Sequence, residues 1–534
     1  MLPGTTRPDP FNLFDTSWIP VAWTPDARAA TANSPLPAEV GLRDLLLRSH
    51  EIERITVSIP PALSALYRLL YALTARVTGL DEAEPPGSSQ PWARRRRRIV
   101  KQGHLDPNGI EEYVAKVHDR FGLFDAARPF LQDPRLAAEC DPASSAGVNK
   151  LVVNRPSGNN HAWFRHVSAR HPDLPTAAEA VLHLLVWHYY GPSGRCSSRT
   201  SGAVTAANAL AGPLRSTLSY HPEGDTLFET LLAGLPEPQD AVRRGEDLCP
   251  WEWPELPDPA GAPPAVSGPC SRLTARSQHA LLLVPDASGE RVADAFITWA
   301  WRPKISRGED PFLIWQVSKE GNPYPRQADS QRALWRDLDA LLLKKPAGSA
   351  QAARPSVFGT ASEVSEFLRV RALGFEQDGQ AKDVQFVDAS TPPVLGLVEE
   401  ADLAAALEVG RLRVLGERYG TRLDRAVKKA WAEFTDAPKI RDCTWAVDAG
   451  ARYWPAAGDE FWRRLEGRTF EDAATSFRRI AERVYDEVTA SALGTMRGAQ
   501  ACSKARTELY GGPAKAKAPV KAGAAGRGGT TEDK

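Results

Sequence analysis

The chain has 534 residues and 58.2 kDa, with 42% hydrophobic and 25% charged residues, which excludes wholesale disorder and leaves room for roughly two to four domains. Its 66 Lys+Arg are matched by 66 Asp+Glu, which excludes a histone-like polycation but not a nucleic-acid binder with a local basic patch. Fifteen tryptophans are many, and 44 prolines with 40 glycines imply extensive loop.

The first twenty residues lack an apolar stretch flanked by basic residues, so no signal peptide is expected. No apolar run approaches about 18 residues, so a cytoplasmic chain without a membrane span is expected. The run FNLFDTSWIPV (11–21) reads as a short strand with Phe11, Leu13 and Ile19 alternating, ended by Pro20. Residues 58–77 read as a helix begun by Pro60 and Pro61, with Leu63, Leu66, Leu69, Leu70 and Leu73 on one stripe. Five arginines, Arg94 to Arg98, follow a polar stretch and are either phosphate ligands or a solvated loop edge. A second helix is expected over 108–121, with Asn108 as N-cap and Glu111 in capping-box position.

Residues 140–175 read as a long loop, followed by an apolar helix over 177–190 that Gly191 and Pro192 halt. Residues 232–272 read as irregular and without helices. Strands are expected at 291–301 and 312–317, and a helix at 333–343. At STPPVLG (390–396) the character changes to long helices: 399–434, 459–465, 470–493 and 499–510. In the third, Phe470, Ala473, Phe477, Ile480, Val484 and Val488 recur at helical spacing behind Thr469 as N-cap. The fold class is therefore α+β, a large irregular mixed domain (11–389) followed by a C-terminal four-helix bundle (396–511). A disordered basic tail (512–534) completes the chain.

Enzyme signatures are missing: there is no GxxxxGK[ST] loop, GxGxxG, HExxH or GxSxG. The six cysteines contain no CxxC pair and read as reduced thiols. His183 and His188, five residues apart, face different sides of one helix and read as core histidines. No catalytic residue, metal site or cofactor is expected. What remains suggests phosphate and base contacts. Gly191 and Gly194, followed by Arg195, suit either a phosphate cradle or a helix cap and turn. In GFEQDGQAKD (374–383), after the strand-like LRVR, a Gly-Gln tip suits a duplex groove, or is simply a polar turn. Arg478, Arg479 and Arg483 interleave with Glu482 and Asp486, so intrahelical pairing accounts for that face.

Five segments in order resemble the CasA family, the large subunit of the type I-E CRISPR surveillance complex, Cascade. They are FNLFDTSWIPV (11–21), FGLFDAARPFLQ (121–132), NKLVVNRPSGNN (149–160), QRALWRDLDALL (331–342) and LRVRALGFEQDGQAKD (368–383). The resemblance implies a non-catalytic subunit that recognises the protospacer-adjacent motif (PAM) in double-stranded DNA and helps open the duplex for guide-RNA pairing. It also implies that other Cascade subunits, the guide RNA and a helicase–nuclease are partners. By the same resemblance the glutamine wedge falls on Gln380, between Gly379 and Ala381 and followed by Lys382. The glycine loop at the PAM falls on Gly191–Gly194, where Pro192 departs from the family pattern. The loop docking at the 5′ end of the guide RNA falls on residues 150–160, with Lys150, Asn154, Asn159 and Asn160 as contacts and Val152 in place of an aromatic. The minor-groove finger falls on Lys304, with Arg302 and Arg307 as competitors. A pure scaffold and a metal-dependent nuclease are the alternatives.

Overall fold

The computed structural model describes residues 11–31, 35–83, 90–153, 155–157, 171–238, 243–304, 310–345, 352–378, 382–436 and 443–511, with only the backbone described at Asp378 and Lys382. Its contacts divide the chain into two units, Met1–Gly410 and Arg411–Lys534.

The first unit is built around the helix Pro60–Thr78. Pro60 and Pro61 preset its first turn, and Gly79 ends it in the left-handed region at φ 68. Every residue from 60 to 76 is buried, so the leucine stripe is one side of a helix enclosed all round. The helices Pro107–Val117, Ala177–Tyr190, Leu227–Ala233 and Pro269–Thr274 pack on it. Its two buried arginines are paired: Arg68 with Asp310 at 3.0 Å, and Arg76 with Asp81 and Glu252.

The first unit also has twelve strands among the described residues, all in antiparallel pairs. Strands β1 (Ile19–Trp23), β2 (Glu39–Val40) and β3 (Ile52–Ile55) form a sheet in the order β2-β1-β3. Pro20 lies inside β1 rather than ending a strand over 11–21. On either side of it the Trp18 N–H donates to the Val40 carbonyl of β2 and the Val21 N–H to the Ala38 carbonyl just before β2, and its own carbonyl accepts from Thr56. Strands β4 (Gly194–Ser201) and β5 (Val204–Ala209) form a hairpin. Strand β6 (Leu218–Glu223) belongs to another sheet, and β7 (His279–Pro285) pairs β8 (Val292–Trp299). Strands β9 (Trp315–Val317) and β10 (Pro323–Pro325) make a short ribbon. Strands β11 (Arg369–Asp378) and β12 (Lys382–Ser390) join β6 in the order β12-β11-β6.

The α+β class stands, with several local corrections. The helix expected from Asn108 begins at Pro107, because Asp106 caps it by accepting from the Asn108 N–H at 3.1 Å. The segment 232–272 does contain a helix, Pro269–Thr274, whose N–H groups at Cys270 and Ser271 donate to Asp247 at 2.8 Å. The helix expected over 333–343 is a 3₁₀ turn, Leu334–Asp337, followed by Leu338–Leu342.

The second unit holds the helices Thr444–Glu466, Ala473–Thr489 and Met496–Ala505, with most of Leu403–Thr435. The helix expected from 459 starts at Thr444 and runs through Pro455. Asp472, at φ 54, precedes the third helix, so neither Thr469 nor Phe470 belongs to its start. Phe477, Val484 and Val488 are buried on the expected stripe. Arg478 faces Glu482 at 3.8 Å as expected, but Arg483 faces Glu487 at 4.0 Å, and Asp486 pairs outside the helix, with Arg506. The tail 512–534 lies outside the described residues.

Candidate nucleic-acid interface

Within the segment 368–383, β6 flanks β11 as far as Gly374, and from there β11 and β12 continue as a two-stranded ribbon. β11 and β12 stay paired from Arg371↔Ser390 to Asp378↔Lys382, so the connection between them is three residues long. Those three, Gly379, Gln380 and Ala381, lie outside the described residues. Along the ribbon, Phe375 and Phe386 pack across strands with tilted rings, centroids 4.8 Å apart. Arg371 bridges Glu223 at 3.1 Å and Asp388 at 3.0 Å. Gly374 is required by close approach, since a Cβ there would sit 2.5 Å from the Thr217 carbonyl oxygen.

The far end of the ribbon is clamped. Ser216, in a left-handed conformation at φ 59, donates its N–H to Gln377 Oε1 at 3.1 Å and its hydroxyl to the Gln377 carbonyl at 3.0 Å. Gln377 Nε2 in turn donates to Asp383 at 2.9 Å, while the buried Arg215 faces Asp383 at 3.6 Å. Ser330 adds an N–H to Glu376 at 2.7 Å.

The same short segment reaches the glycine turn. Gly212 donates its N–H to the Gly191 carbonyl at 2.8 Å, and Arg215 donates to the Tyr190 carbonyl at 3.4 Å. Residues 212–216 thus tie the end of the helix Ala177–Tyr190 to the ribbon. At Gly191 the need for glycine is packing: a Cβ would lie 2.6 Å from His279 Cε1 and 2.7 Å from the Trp187 carbonyl oxygen. That favours the cap-and-turn reading for Gly191. Gly194 differs, with φ 123 and open space where a Cβ would point.

Beside Gly194 the structure gathers basic side chains from three segments. Lys150, on the short helix Val148–Leu151, donates Nζ to the Arg195 carbonyl at 2.9 Å. Burial, with the Arg195 charge nearby, lowers the pKa of its ammonium. Arg302 donates to the Asn208 carbonyl at 3.0 Å, and Asn208 is the β5 residue opposite Arg195. Lys304 is exposed two residues further along. Arg195 and Lys304 have no acidic partner among the described residues. Val152 is buried, and Asn154, Asn159, Asn160 and Arg307 lie outside the described residues.

The five-arginine run is not a loop edge but part of the helix Trp92–Gln102. Arg96 is fully buried, donating to the Thr360 carbonyl at 2.6 Å and facing Glu363 at 3.2 Å, while Arg95 donates to the Gly79 carbonyl at 2.6 Å. Only Arg94, Arg97 and Arg98 are exposed. His183 is buried, and His188 has both ring nitrogens occupied, by Ser277 and the Leu131 carbonyl. Among the described residues no cluster of three or more His, Cys, Asp or Glu is arranged to hold a metal, and no helix is long and apolar enough to cross a membrane. Sequence reasoning missed Arg215 and Ser216, whose only local signal is a Pro-Leu-Arg-Ser turn before β6, and gave Gln377 no role within the segment 374–383.

The family model of CRISPR-associated protein Cse1 matches residues 12–492. The chain is 29% identical over 343 residues to CRISPR-associated protein CasA/Cse1 of Thermus thermophilus, a match covering 62% of this chain and 60% of that relative's length. A chain from a solved structure described as a CRISPR RNA-guided surveillance complex superposes with a TM-score of 0.83 at 38% identity, covering 94% of this chain and 99% of that one. Thermus thermophilus CasA (Cse1), at 20% identity and a TM-score of 0.72, covering 94% of this chain and 98% of that one, shares the fold. With a family model spanning most of the sequence and both units, the chain belongs to the Cse1 (CasA) family of CRISPR-associated proteins.

Proposed function

We propose that this chain is the non-catalytic large subunit of a type I-E CRISPR surveillance complex, assembling with other Cascade subunits and the guide RNA. In this reading it recognises the PAM in duplex DNA, helps open the duplex for guide pairing and permits recruitment of the helicase–nuclease. The observation that carries it is the clamp at residues 212–216, which ties a ribbon with a three-residue connection containing Gln380 to the Gly191–Gly194 turn. A wedge has to be stiff, because unstacking a base step costs a few kcal/mol that a yielding loop cannot return. The neighbouring Lys150, Arg195, Arg302 and Lys304 supply positive charge for phosphates, and minor-groove contacts by lysine tolerate several related sequences. Sequence readout beyond the PAM belongs to guide pairing.

The test compares wild type with Gln380→Ala in the reconstituted complex, at fixed salt, on a cognate duplex with a base-unpairing reporter beside the PAM. Retained PAM binding with poor opening is the expected result. Unchanged opening would make the chain a scaffold that does not part DNA. Mg²⁺-dependent cleavage by the isolated chain is expected to be absent, and its detection would favour a nuclease instead.

A further inference from the structure

A cavity of about 110 Å³ lies in the first unit, lined in part by His279 behind the Gly191 turn, and none of the expected nucleic-acid contacts lines it. Three tryptophans line it, Trp251 and Trp301 buried and Trp253 half-exposed. Arg120, Arg128 and Arg135 also line it.

The charge in this cavity is unbalanced. Asp133 is the one carboxylate lining it among the described residues, and it is already held by Arg135 and Arg199, each at 2.8 Å. Arg128 is fixed by neutral groups, the carbonyls of Trp253 at 2.9 Å and Pro254 at 3.1 Å, which orient the guanidinium without cancelling it. Arg120 has no acidic partner among the described residues. Two uncancelled guanidiniums therefore face a slot walled by indoles. Indole faces suit a planar ring, and guanidinium forks suit a phosphate.

The cavity's volume, on the order of eight water-sized positions, leaves room for a planar ring of nucleobase size. From this juxtaposition we propose that the cavity is a nucleotide-binding pocket, taking one unstacked base against its tryptophans with the phosphate on Arg120 and Arg128. The ligand is a free nucleoside monophosphate or one nucleotide of a single strand, and both carry the same chemistry. The site does not depend on where the wedge acts, so it stands or falls separately from the reading above.

The experiment titrates the full chain with adenosine 5′-monophosphate, with a short single-stranded oligoadenylate and with inorganic phosphate, following tryptophan fluorescence. Saturable quenching by the two nucleotides, and none by phosphate alone, is expected. Because Arg120 and Trp253 are half-exposed, Arg120→Glu and Trp253→Ala keep the fold, which unchanged melting verifies. Each should weaken nucleotide binding about ten-fold or more. Oligoadenylate binding at least about ten-fold tighter than the monophosphate assigns the pocket to a strand, and equal affinities assign it to a free nucleotide. No saturable quenching at millimolar nucleotide, or affinities that both substitutions leave unchanged, would overturn the proposal.

Discussion

Asp310→Ala should be among the most damaging single substitutions in the first unit. Asp310 accepts from Arg68 at 3.0 and 3.2 Å, lies 3.9 Å from Arg276 and accepts the Phe312 N–H at 3.0 Å. Both arginines are buried, and Arg68 is otherwise held only by neutral oxygens of Ser64 and Ser219. Removing the carboxylate strands a buried guanidinium, at a cost of about 3–5 kcal/mol. The orphaned N–H adds about 1 kcal/mol. The sum, roughly 4–6 kcal/mol, rivals the whole stability of many domains. The assay is urea unfolding of the isolated chain followed by tryptophan fluorescence, with Asp310→Asn as an intermediate control. The double variant Arg68→Met with Asp310→Leu should be more stable than Asp310→Ala, because it removes the closely bonded Arg68–Asp310 pair together and leaves only the more distant Arg276 without its carboxylate. A loss below about 1 kcal/mol in Asp310→Ala, or a double variant as unstable as the two singles added, would refute the argument.

Burial depresses the pKa values of His183, His188 and His279 to about 4, against a usual 6.5. Above pH 6.5 neither state holds these protons. Below it the unfolded chain takes them up while the folded chain does not, so stability should fall from pH 6.5 toward pH 4. His183→Leu should remove about one proton's share of that slope, roughly 1 kcal/mol per pH unit, read from urea midpoints at several pH values. Within the arginine run, Arg96→Ala should lower the melting temperature by several degrees, through the lost Thr360 and Glu363 contacts, while Arg94→Ala stays within about 0.5 kcal/mol of wild type. A similar loss in both would mean that the run is not divided between core and surface. Arg215→Ala should slow duplex opening in the reconstituted complex without removing PAM binding, because it loosens the clamp rather than a DNA contact. An unpairing reporter at unchanged binding affinity checks it.

What could be read from the sequence depended on how local the signal was. The helix Ala177–Tyr190 was legible because an apolar run meets Gly191 and Pro192, and the helix Pro60–Thr78 because two prolines mark its start. The cap at Asp106 was misread as Asn108 because both are good cap formers, and Pro107 at the first helical position decides between them. The helix Thr444–Glu466 was half missed because Pro455 is an ordinary breaker that this helix absorbs. Strands β4 and β5 are polar enough to give no alternation. The role of Arg96 was hidden because its partner Thr360 is 264 residues away. For the same reason the segments of the candidate site could be named individually, but not the clamp that joins two of them: Ser216 and Gln377 are 161 residues apart.

The enclosure of the helix Pro60–Thr78 also bears on how the chain is made. Arg68 and its counter-ion Asp310 are 242 residues apart, and β11, which packs on the same helix, comes later still. At about 5–20 residues per second, roughly 10–50 s pass on the ribosome between synthesis of that helix and of the carboxylate that neutralises it. Throughout that interval an apolar segment carrying a lone cation has no finished interior to enter. The nascent chain is therefore a natural client for chaperones, and overproduction at a high translation rate should lose yield to aggregation well before any loss in the finished fold would show.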